Sequence, residues 1–142
     1  MAHCRVNEID LANDQFIVQK NWAADGEGTY GVFPLTELAP PQILSELQSG
    51  RTVVVDNTAS DPRTASVIES YRSQQTNALV GVPIFHEGQW WATLSVRERG
   101  ERHWRPDEVA ILETVSNQLR DLLEKVRAEA ALRQLTATLE QR

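Results

Sequence analysis

Residues 78–96 read ALVGVPIFHEGQWWATLSV. Two apolar runs flank Glu87-Gly88, a dipeptide suited to a tight turn, so the stretch predicts a β-hairpin. Alternation along the second strand puts Trp90, Ala92, Leu94 and Val96 on one face and Trp91, Thr93, Ser95 and Arg97 on the other. The strands carry too few charges to protect a sheet edge, which predicts a central position in an antiparallel sheet. The second face is polar for an interior, and it must look at water or at a small molecule.

Outward from the hairpin, strands and helices alternate. Residues 4–22, CRVNEIDLANDQFIVQKNW, read as two strands around Asn13-Asp14, with Phe16, Val18 and Trp22 at even spacing, and this second hairpin is expected beside the first. Residues 26–41, GEGTYGVFPLTELAPP, are rich in Gly and Pro and read as a loop. Pro40-Pro41 then opens a short helix through Ile43, Leu44 and Leu47, ended by Gly50. TVVVD, residues 52–56, has the continuous β-branched pattern of a strand covered on both faces. Residues 60–77 begin with Ser-Asp-Pro, a helix-start signal that brings Val67, Ile68 and Tyr71 to one side.

From Trp104 onward the chain has no Gly and no Pro after Pro106, which predicts one helix from Pro106 with Asp107 and Glu108 at its positive end. Leu112, Val115, Leu119, Leu122 and Val126 step by three and four as a heptad seam, and after a phase shift the steps resume at Leu132, Leu135 and Leu139. A helix of about 38 residues spans on the order of 57 Å, more than a domain this size covers. The helix therefore closes the core to about Arg127, and the rest is read as a coiled-coil linker of a homodimer.

The chain has 142 residues, 41% hydrophobic and 24% charged, as one compact domain with an extension. A net charge of −6 without a Lys/Arg cluster speaks against a nucleic-acid partner. The single cysteine, Cys4, allows no internal disulfide and no cysteine-based zinc cage, which suits a reducing cytoplasm, and no metal is expected. No apolar run approaches the roughly 20 residues of a membrane span, and no signal-peptide pattern opens the chain. His3, His86 and His103 read as surface residues, and Asp10, Asp14, Asp56 and Asp61 as caps of turns and helix starts. Tyr71 and Trp22 read as core, and no Ser, His and acid trio appears.

Several stretches now carry a resemblance. DNTASDPR at residues 56–63, VGVPIFHEGQWWATLSV at 80–96 and WRPDEVAILE at 104–113, in this order of elements, resemble a GAF domain of bacterial sensor histidine kinases and phytochromes. FPLTEL at residues 33–38 is similar to the phytochrome stretch FPASDIP, and EAALR at 129–133 to the signalling helix leading into a next module. The family's usual first helix, ahead of Arg5, is missing from the resemblance. The resemblance implies an α+β fold whose central antiparallel sheet has a ligand-pocket face, helices on the other face and a long C-terminal signalling helix. Residues 1–104 would form the sheet, loops and short helices; residues 105–142 would form the terminal helix and coiled-coil linker.

The same resemblance implies a pocket lined by Phe33, Glu37, Ser66, Val67, Leu79, Thr93, Ser95 and Arg97, with Leu94 and Val96 turned to the helices. Arg97, as the strong cation there, suits a small anionic ligand of unnamed identity. A covalent bilin is not expected: Ser66-Val67 stand where bilin-binding relatives carry a Cys-His pair or a lone His, and Cys4 begins the first strand. The NKxFDE signature of cyclic-nucleotide GAF domains is reduced to Trp104 and Asp107-Glu108. The GAF-fold reductases of free methionine sulfoxide need several cysteines, which Cys4 alone does not supply. The expected function is therefore regulatory and not enzymatic: a cytoplasmic sensory module that binds a small molecule and passes the change through a dimeric helix to a downstream histidine kinase. The alternative is a module without ligand, kept for dimerisation and signal relay.

Overall fold

The computed structural model describes residues 2–23 and 31–140, with the side chains of residues 2, 3 and 19–23 outside the description. The expectations for His3, for Trp22 and for the glycine-rich residues 26–30 lie outside these described residues. Strands β1 (Ala2–Asp10) and β2 (Gln15–Ala23) form the first hairpin, followed by β3 (Gly31–Pro34) and helix α1 (Pro41–Gln48). Strand β4 (Val53–Val55), helix α2 (Ile68–Ser73), the hairpin β5 (Ala78–His86) and β6 (Gln89–Glu98), and helix α3 (Pro106–Glu140) complete the chain.

The strands form one antiparallel sheet in the order β3-β2-β1-β6-β5-β4, so β6 lies against β1 and the two hairpins are neighbours as expected. Glu87 and Gly88 both have positive φ, 52° and 79°, the backbone of a tight turn whose twist matches the flanking strands. α1 follows its sequence signals, with Pro41 in the first turn, Ile43 and Leu47 buried, and Gly50 at φ 91° behind it.

The sheet separates two cores. On one face Ile9, Phe16, Val18, Val53, Val55, Leu79 and Trp90 pack with Leu38, Ile43, Leu47 and Tyr71 from the loops and short helices. On the other, Val6, Val80, Val82, Ile84, Ala92, Leu94 and Val96 pack with Trp104 and with Val109, Leu112 and Leu119 of α3. The Trp104 indole N–H donates to the Val55 carbonyl at 3.0 Å, which pins the entrance to α3.

Four local readings are corrected. Gly31–Pro34, within the stretch read as a loop, forms strand β3, paired antiparallel with β2 at the sheet edge. The pairing skips a residue between Ile84↔Ala92 and Phe85↔Trp90, so Trp91 is the extra residue of a bulge. The bulge exchanges the expected faces: Trp90 joins Thr93, while Trp91 turns to the helix side, 4.9 Å from the His86 ring and beneath the Arg127 guanidinium. Ser60-Asp61-Pro62 starts a turn and not a helix. The Asp61 carboxylate accepts from the Arg63 backbone N–H at 2.8 Å, and α2 begins only at Ile68, leaving Val67 exposed. In α3, steps of three and four occur in two stripes. Val109, Leu112, Leu119 and Leu123 turn to the sheet, whereas Ile111, Val115, Leu122 and Val126 are exposed, followed by Leu132, Leu135 and Leu139. Leu112 and Leu119 thus pack on the chain's own sheet.

Candidate functional site

The site lies on the face of the sheet opposite α3. Antiparallel register sets Asn7 of β1 beside Thr93 of β6, and Arg5 beside Ser95, while Leu79 of β5 opposes Arg97. Cys4 pairs with Val96 and therefore belongs to the other face. Side chains that alternate in this way converge on a small inner cavity of about 30 Å³, room for about one water. Asn7, Thr93, Ser95, Arg97 and Tyr71 supply its polar groups, and Leu38, Ile43, Leu47, Val53 and Leu79 supply apolar wall.

α1 lies close on the sheet at Gly81, where a Cβ would sit in ordinary van der Waals contact, 3.5 Å from the Leu47 side chain and 3.9 Å from Thr93.

The polar groups are unevenly satisfied. The Trp90 indole N–H donates to the Thr93 hydroxyl at 3.0 Å. Asn7 is 0% exposed, yet neither its Oδ1 nor its Nδ2 has a hydrogen-bond partner among the described residues. The buried Nε of Arg97 likewise has none, while its Nη1 donates to the Gln74 side-chain oxygen. No carboxylate pairs with Arg97 among the described residues. Burial first, and then the positive charge of Arg5, draw the Arg97 guanidinium down to about 10. Burial pushes the Tyr71 phenol up, against the opposing pull of Arg97 and Arg63. A half-buried cation with a neighbouring cation and no carboxylate partner among the described residues is costly to hold, and an anion would relieve it.

Outside the inner cavity an open cleft of about 520 Å³ runs between the loop at residues 36–41 and α2, lined by Glu37, Val67, Ser70 and Gln74 among others. Leu38, Ala39 and Tyr71 line both spaces and so form the wall between them. The loop after β4 is tied to α1 and β4 by the Arg63 guanidinium, which donates to the Glu46 carboxylate of α1 at 2.8 Å, the Asp61 carboxylate at 2.8 Å and the Val54 carbonyl at 2.8 Å. That guanidinium holds the Asp61 carboxyl below the ordinary carboxylate range.

Of the expected pocket residues, Leu79, Thr93, Ser95 and Arg97 line the inner cavity, and Glu37 and Val67 line the outer cleft. Phe33 packs on Phe16 with ring centroids 5.4 Å apart, and Ser66 is exposed; neither lines these two spaces. Asn7, Tyr71 and Gln74 are additions. Asn7 carried a signal, since Arg5 and Asn7 are polar residues at alternate positions of a central strand, whereas nothing local marks Gln74.

A family model described as GAF domain matches residues 7–121. The chain belongs to the GAF family. No curated protein matches the chain. Among solved structures, the phycocyanobilin-bound GAF domain of a cyanobacterial phytochrome superposes with TM-score 0.70 at 16% identity, over 89% of this chain and 76% of that one. A domain from Sinorhizobium meliloti 1021, named as a two-component sensor histidine kinase protein, gives TM-score 0.68 at 18% identity over 92% and 84%. The free methionine-R-sulfoxide reductase of Neisseria meningitidis in complex with its substrate gives TM-score 0.66 at 17% identity over 89% and 70%. At these identities the likeness concerns the fold, and this GAF chain shares the α+β architecture of all three. No helix among the described residues is long and apolar enough to cross a membrane.

Proposed function

We propose that this GAF domain is a regulatory sensory module that binds a small anionic molecule on the sheet face opposite α3 and relays the event through α3. The observation that carries this reading is the polar lining of the inner cavity: a half-buried guanidinium, its Nε enclosed and without a carboxylate partner, beside a fully buried Asn7 carboxamide without hydrogen bonds among the described residues. Buried polar groups are ordinarily satisfied, and the Asn7 carboxamide is one that calls for a partner. Leu79, Thr93 and Ser95 would line the bound molecule, with Glu37 and Val67 toward the mouth and Phe33 and Ser66 outside direct contact.

In this reading the output is a downstream histidine kinase module in a parent chain, and residues 105–142 lead toward it as helix and then coiled coil. A second copy would cover the outward stripe of Val115, Leu122 and Val126, half or more exposed at the latter two, in a homodimer in the cytoplasm. The reading is regulatory, and Cys4, the chain's one cysteine, lies on the face away from the cavity.

The small inner volume favours a second reading, a domain without ligand that serves dimerisation and relay. Native mass spectrometry of protein purified from its own host separates the two. A retained small molecule released on denaturation supports the sensor. Ligand-free dimers in repeated preparations, with no thermal shift on adding small organic anions, support the relay.

A further inference from the structure

The cation of the inner cavity explains a preference for anions, but it does not explain Asn7. A carboxamide presents one acceptor, Oδ1, and one donor group, Nδ2, side by side. Both are buried and without partners among the described residues, on a strand whose register holds Asn7 next to Thr93, and Asn7 lines the cavity that Arg97 also lines. Replacing one partner of a buried polar group is costly, whereas a ligand edge that donates and accepts at once satisfies both atoms. Gln74 supplies the other half of the argument. Its side-chain oxygen sits on the Arg97 Nη1 as a neutral stand-in, and Gln74 also lines the outer cleft.

Resting on the ligand-binding reading above, we infer that the site takes a small carboxylate that also carries an amide, lactam or imide edge. The carboxylate replaces the Gln74 oxygen on Arg97, where the exchange of a neutral for a charged acceptor strengthens the bond. The amide-type edge pairs with the Asn7 carboxamide, its C=O accepting from Nδ2 and its N–H donating to Oδ1. Entry requires the shared wall of Leu38, Ala39 and Tyr71 to yield, which joins the inner cavity to the cleft and supplies the volume the inner space lacks. Glu37 stands exposed at the mouth, where water and salt screen it from the entering anion.

Isothermal titration of the whole chain with three probes tests this: orotate, a carboxylate on a ring imide; benzoate, a carboxylate alone; and uracil, an imide alone. Orotate should bind about tenfold or more tightly than either of the others, the scale of two hydrogen bonds to an otherwise unpartnered amide. Asn7→Leu should bring orotate down to the benzoate level and leave benzoate unchanged, and Arg97→Met should abolish both. Asn7→Ser repeats the comparison should Asn7→Leu not fold. If orotate and benzoate bind alike, both need Arg97 and neither responds at Asn7, the amide edge is overturned while the anion pocket stands. If no probe binds at millimolar concentration, the anion pocket and the amide edge both fall.

Discussion

The two faces of β6 present opposite solutions to being buried. On the α3 side Ala92, Leu94 and Val96 meet other apolar side chains, and the polar residue there, Ser116 of α3, bonds back to the Leu112 carbonyl at 2.9 Å. On the other side Thr93, Ser95 and Arg97 are joined by Asn7 of β1, and burial leaves donors and acceptors open. The first face of β6 is closed by apolar contacts; the second holds open polar groups beside a core of its own. The difference teaches that stability and the candidate site are distributed by strand parity, one residue apart along the same chain.

The largest effects should fall on the α3 side. Leu94 is 1% exposed in the middle of the sheet, so Leu94→Ala should cost about 2–5 kcal/mol, measured by urea unfolding. The two stripes of α3 split the next test. Leu119→Lys forces a charge toward the domain's own core, at a cost of several kcal/mol, and should unfold it. Leu122→Lys with Val126→Lys charges the exposed stripe, which should leave circular dichroism unchanged and turn a dimer into a monomer in analytical ultracentrifugation.

The pocket face should answer with the opposite sign. Asn7→Leu removes a buried amide that has no partner among the described residues, and it should raise the unfolding free energy by about 1–3 kcal/mol. A loss of that size would mean that Asn7 is satisfied, and the contrast between the faces would vanish. The smallest effect belongs to the exit of α3 from the sheet. There Arg127 lies 4.5 Å over the Trp91 ring and 3.4 Å from the Glu8 carboxylate, largely exposed. Arg127→Ala should cost only about 0.5–1 kcal/mol.

Most of the sheet was legible in the sequence because its signals are local, whereas β3 lay hidden in a stretch whose Gly and Pro read as loop. Glu87-Gly88, the alternation along β6 and Pro106 with its following acids each specify an element without help from distant residues. The faces of the two tryptophans were not, since the bulge at Trp91 is set by pairing with β5 and leaves no mark in the strand itself. Steps of three and four in α3 showed a helix but could not assign Leu112 and Leu119 to one stripe and Val115 and Leu122 to another, because that depends on where the sheet lies. At the site, parity sufficed for Thr93, Ser95 and Arg97 to share a face. Asn7 and Gln74 reach it from β1 and from just after α2, and only the tertiary register brings them there.

The central claim is that Arg97 is held at the cavity for an anion and not for the fold. Urea unfolding of the parent chain and of Arg97→Met, each with and without millimolar benzoate, tests it most directly, because a ligand that binds the folded state raises its stability by mass action. Without benzoate, Arg97→Met should be at least as stable as the parent, since it removes a desolvated charge and keeps the apolar stem. With benzoate, the parent should gain stability and Arg97→Met should not. A variant clearly less stable than the parent, with benzoate leaving both chains unchanged, would contradict the account.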